Sequence, residues 1–81
     1  MKATIKWFNQ KVQLGERVFL FCFGKKCMSG KVTKISQISI NGEFSILVEF
    51  IEPNFFEDEL IEGHIFTINE VSTILGEGEV M

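Results

Sequence analysis

At 81 residues, with a formal charge of −3 and a pI near 5.1, the chain forms a single domain, residues 1–81. The acidic balance argues against a strong non-specific grip on phosphate backbones, which needs clustered Lys and Arg. Hydrophobic residues make up 46% of the chain, with nine Phe and one Pro; that excludes disorder, and the β-branched and aromatic bias favours strands over helices.

Residues 3–8 (ATIKWF) read as a first strand and Asn9 to Gly15 as a polar loop. Glu16 to Phe23 is apolar on both faces after Arg17, which predicts a central strand covered on both sides. Gly24-Lys25-Lys26 marks a compact turn. From Cys27 to Ile40 a long alternating stretch sets Met28, Gly30 and Val32 on one face and then changes phase, which predicts a bulge or bend. Asn41-Gly42 is a hairpin signal of the type I′ kind, in which both residues take positive φ.

Phe44, Ile46, Val48 and Phe50 then form a period-2 face running to Glu52, and Pro53-Asn54 ends that strand. Residues 55–63 read as a loop with room for one helical turn. His64 to Asn69 and Ile74 to Val80 form the last two strands. The final one carries Gly76 and Gly78 at alternate positions, a pattern kept where a neighbouring chain or bulky side chain must come close. Strands at this spacing without helical periodicity predict an all-β fold, a single closed antiparallel barrel of six or seven strands.

Three blocks in this order carry a family resemblance: Met28-Ser29-Gly30-Lys31-Val32-Thr33-Lys34-Ile35, then Ile46-Leu47-Val48-Glu49-Phe50-Ile51-Glu52-Pro53, then the terminal pair of segments from Glu62 to Val80. Together with the Arg17 to Phe23 strand they are similar to the third, C-terminal barrel domain of elongation factor Tu. The resemblance covers most of the chain from Arg17 onward. It implies a six-stranded antiparallel barrel without catalytic residues, of a kind that helps to bind the T-stem of aminoacyl-tRNA and the nucleotide-exchange factor. The chain departs from the family where tRNA is met. The loop between the first two strands is only Asn9 to Gly15, and Asn69 and Thr73 stand where the family has basic residues. tRNA binding is therefore not carried over. No Gly-rich phosphate loop with Lys-Ser/Thr is present, so no nucleotide is expected.

Several constellations remain as candidates. Phe55 and Phe56, beside the acidic run Glu57, Asp58, Glu59 and Glu62, have the composition of a protein interface, with an aromatic rimmed by charge; the competing reading has both aromatics capping the open end of the barrel. The acidic run lacks the glycine and ligand spacing of a calcium loop. Trp7 and Phe8, with Lys25, Lys26 and Lys31, form an alternative RNA-binding set, in which aromatics stack on bases and lysines meet phosphates. The net charge does not favour it. Cys22, Cys27 and His64 supply three metal ligands at most, so no metal or other cofactor is expected. The two cysteines read as small buried hydrophobes with reduced thiols. No apolar leader follows Met1 and no apolar run approaches the roughly 18 residues of a membrane span, so the expectation is a cytoplasmic chain with no membrane association. One His, one Asp, one Arg and no Tyr leave too few groups for a catalytic site. The reading is a non-catalytic binding or adaptor module with a protein partner not named by the sequence.

Overall fold

A computed structural model describes all 81 residues and contains six strands and no helix. They are β1 (Lys2–Trp7), β2 (Val18–Phe23), β3 (Lys26–Ser39), β4 (Glu43–Phe50), β5 (Ile65–Glu70) and β6 (Thr73–Val80). All neighbours are antiparallel, in the order β1-β4-β3-β2-β5-β6, and β6 returns to pair with β1. Closure leaves no strand edge exposed, the main liability of a small all-β chain. The expected closed barrel is thus present, with the smaller of the two expected strand numbers.

Strand alternation builds the core. Ala3 and Ile5, Phe19 and Phe21, Val32, Ile46 and Val48, Phe66 and Ile68, and Val80 all point inward and are buried. The predicted phase change in β3 is real: its pairing with β4 slips between Val32 and Lys34 and again between Gln37 and Ser39. The alternate glycines of β6 act as their spacing predicts. A Cβ on Gly78 would lie 2.5 Å from Cζ of Phe66 and 2.7 Å from Cγ2 of Ile5. One on Gly76 would lie 2.6 Å from the carbonyl oxygen of Lys6. Side chains of β5 and β1 occupy the space that Gly78 leaves, and at Gly76 it is the β1 backbone that comes close.

Two local expectations are corrected. The β3–β4 turn is not a two-residue type I′ turn. Ser39 pairs with Glu43, so Ile40-Asn41-Gly42 intervene, and of these only Gly42 has positive φ, at 81°. A three-residue hairpin needs one left-handed residue, and glycine supplies it. Nor is β2 covered on both sides. No second layer lies outside the barrel, and Val18 on the outer face is exposed while Leu20 is half-buried.

Seven of the eight basic residues precede Lys34 and ten of the eleven acidic ones follow it, yet the fold interleaves the two halves. Basic β1 lies between acidic β4 and β6, so that Lys6 is level with Glu43 on one side and Glu77 on the other. The two connections that cross the barrel matter more. Residues 8–17 link β1 to β2 over one end, and residues 51–64 link β4 to β5 over the other.

Candidate functional site

The 51–64 crossover is built as a run of tight turns. Phe55 N–H donates to the carbonyl of Glu52 (3.0 Å), Glu59 N–H to that of Phe56 (2.9 Å) and Leu60 N–H also to that of Phe56 (3.0 Å). The last of these is one α-type turn, and Glu59 to Ile61 then breaks away, so no helix propagates. Its far end is tied to the barrel, because Gly63 N–H donates to the carbonyl of Val80 at 2.8 Å.

The two adjacent aromatics divide their roles. Phe56 is 0% exposed and enters the barrel end, with ring centroids 4.8 Å from Phe23 and 5.0 Å from Phe50. Phe55 stays 38% exposed, 5.1 Å from Phe56. Phe56 is therefore corrected from a contact residue to the plug that fixes the crossover. Through it Phe55 joins a network of edge and tilted ring contacts that includes Phe21, Phe23, Phe50 and Phe66.

Lys26, at the start of β3, reaches the crossover. Its Nζ donates to Oε1 of Glu59 at 2.8 Å and lies 4.9 Å from the Phe55 ring centroid. Both partners of the ion pair keep solvent contact, so the pair is worth less than about 1 kcal/mol and positions more than it stabilises. Glu57, Asp58 and Glu62 are exposed, and ion pairing is confined to Lys26–Glu59 and Arg17–Glu70. Ile51 and Ile61, which the sequence reading did not single out, are 73% and 53% exposed at the flanks of the same crossover. The result is a surface of unpaired carboxylates interspersed with apolar side chains, held from beneath by Phe56.

The alternative set is not brought together. Trp7 and Phe8 lie at the end of the barrel crossed by residues 8–17, whereas Lys25, in the β2–β3 turn, and Lys26, just after it, lie at the opposite end. Trp7 points inward, with its ring centroid 5.4 Å from that of Phe19 and its Nε1–H donating to the carbonyl of Val12 at 2.9 Å. Lys31 stands between, level with Glu49. The stacking candidates and two of the three cations thus occupy opposite ends of the barrel.

The cysteines require a further correction: Cys22 and Cys27 are joined in a disulfide, and neither is a free thiol. Hairpin geometry accounts for this. Phe23 pairs with Lys26 around the two-residue turn Gly24-Lys25, which puts Cys22 directly opposite Cys27 with Cα atoms 4.1 Å apart, the short spacing of a non-hydrogen-bonded pair. The C-x4-C spacing around a Gly-Lys turn was the available signal. Elsewhere, no three His, Cys, Asp or Glu side chains converge as a metal site would require. The depression beside the crossover is lined by Thr4, Glu62, Gly63, Glu79, Val80 and Met81, which pairs no nucleophile with a histidine base.

No family model, curated protein or solved structure matches this chain.

Proposed function

We propose that the chain is a non-catalytic protein-binding module that engages a basic protein surface through the 51–64 crossover. The observation that carries this reading is the division of Phe55 from Phe56. One aromatic is spent on anchoring the loop, while its neighbour stays at the surface among Glu57, Asp58, Glu62, Ile51 and Ile61. An anchored loop loses little conformational entropy on binding. Carboxylates at the rim speed encounter with a basic partner and set its orientation, while the apolar side chains supply the desolvated contact.

The closed six-strand antiparallel architecture supports kinship with the third domain of elongation factor Tu, and we propose the barrel as one of that type. The proposed role does not include tRNA binding, since Asn69 and Thr73 supply no positive charge where the family has it.

The test is site-specific photo-crosslinking in the host lysate, with the crosslinker at position 61 and, as a control, at the exposed position 40 of the opposite end. A partner captured at 61 but not at 40 is expected. Its yield should drop about tenfold on combining Glu57→Lys, Asp58→Lys and Glu62→Lys, the change produced by three rim charges at roughly 0.5 kcal/mol each. Equal capture at both positions, or capture indifferent to the charge reversal, would sink the reading.

A further inference from the structure

We propose that the Cys22–Cys27 bond is a thiol-exchange site for a low-molecular-weight thiol–disulfide couple of the glutathione class, and that its state sets how the β2–β3 hairpin holds the acidic crossover. The second half rests on the crossover being the recognition surface; the first does not.

The two sulfurs are unequal. Cys22 is 8% exposed, whereas Cys27 is an exposed residue at the start of β3. Access decides which sulfur a thiolate reaches, and here it selects Sγ of Cys27.

The exchange balances without an outside oxidant. A small thiolate attacks Sγ of Cys27 and forms a mixed disulfide there. The electron pair of the protein S–S bond leaves on Sγ of Cys22, which takes up a proton. A second small thiol then attacks the mixed disulfide, freeing Cys27 and releasing the oxidised small disulfide. The protein gains two electrons and two protons, and two small thiols are oxidised. The reverse sequence closes the bond.

The barrel does not depend on the bond for closure. Cys22 and Cys27 sit on the outer face, while Phe19 and Phe21 of the same strand fill the core, and β2 pairs with β3 from Val18–Lys31 through to Phe23–Lys26. What the bond pins is the neighbourhood of Lys26, the residue next to Cys27 and the one side chain of the hairpin that reaches Glu59 and Phe55. Opening it leaves the hairpin tip held by the Phe23–Lys26 pair alone and so loosens the tether on the crossover.

The test uses the full oxidised chain in glutathione buffers of stepped ratio. Thiols are trapped by alkylation and counted by mass spectrometry, while amide resonances are followed in parallel. The bond is expected to open in millimolar glutathione without denaturant. Signals of Lys26, Phe55 and Glu59 should shift along the alkylation curve, while those of β1 and β4 stay in place. The double variant Cys22→Ser/Cys27→Ser should reproduce the reduced pattern. Cys22→Ser, which leaves Cys27 free, should acquire the glutathione adduct faster than Cys27→Ser. A bond that resists glutathione until the chain is denatured, a reduction that leaves the Lys26, Phe55 and Glu59 signals unmoved, or faster adduct formation on Cys22 would each overturn the proposal. No partner enters these measurements, so failure of the crosslinking experiment and failure of the exchange are separable.

Discussion

The two ends of the barrel pose one physical problem, an apolar interior open to water, and they close by different means. Over one end, residues 8–17 form a lid held by directional bonds. The Asn9 carboxamide oxygen accepts from the N–H groups of Lys11 (2.8 Å) and Val12 (2.7 Å), the Trp7 indole binds the Val12 carbonyl, and Arg17 is paired with Glu70 at 2.8 Å. Val12 and Leu14 lie half-buried beneath the lid. Over the other end, one fully buried ring seals the interior, and the crossover above it is wired by backbone turns with a single side-chain ion pair, Lys26–Glu59. Phe56 packs against Phe23 and Phe50, and the surrounding crossover is left free to carry charge. A lid that spends its polar groups on itself has few to offer a partner. A plug that seals with apolar area, above which only Glu59 is paired, leaves Glu57, Asp58 and Glu62 unused.

The largest test of that contrast is Phe56→Ala. Removing a fully buried ring from the end of a tightly packed barrel should cost about 3–5 kcal/mol, read as a fall in the urea midpoint at constant slope. Phe55→Ala, one residue away, should cost under about 1 kcal/mol, since the ring is part-exposed and its cation contact is of the surface kind. Similar losses at the two positions would mean that the crossover is held by both rings and that neither is free for recognition.

A smaller effect tests the lid. Trp7→Phe keeps an aromatic against Phe19 but removes the indole N–H, leaving the Val12 carbonyl without its partner. The expected cost is about 1–2 kcal/mol, with faster amide exchange confined to residues 9–14. Exchange that quickens equally at the 51–64 end would show that the two closures are coupled rather than independent.

The sequence carried the parts of this fold that depend on period and volume. Phe44, Ile46, Val48 and Phe50 announced β4 by strict alternation, and Gly76 and Gly78 announced close approach, because those signals are local and repeat along the chain. Chain order alone did not reveal which residues would share an end. Trp7, Phe8 and Lys25 look like neighbours in composition, yet β1 and β2 run so that they finish at opposite poles. The Phe55-Phe56 pair was legible as an anomaly but not as a division of labour. Which ring enters the barrel depends on the turn geometry of residues 52–60, and hydrophobicity does not encode it. The Cys22–Cys27 bond was legible only through hairpin arithmetic: with the turn fixed at residues 24–25, positions 22 and 27 must face each other.

The smallest effect concerns a residue no pattern flagged. Val71 occupies the first central position of the two-residue turn between Glu70 and Thr73, with φ at 55°. A type II′ turn gives that position to glycine, because Cβ of any other residue crowds the backbone there, and a β-branched side chain is the worst suited of all. Its side chain recovers nothing by packing, being 94% exposed. Val71→Gly therefore removes left-handed strain of roughly 1–2 kcal/mol and sets against it the greater chain entropy that glycine loses on folding, roughly 0.5–1 kcal/mol. The balance is a net gain of about 0–1.5 kcal/mol. A raised thermal midpoint would show that the lid end carries strain the barrel does not need for closure. A lowered one would mean that Val71 makes a stabilising contact with Phe8 or Leu75 across the depression they share, tying the hairpin tip to the lid after all.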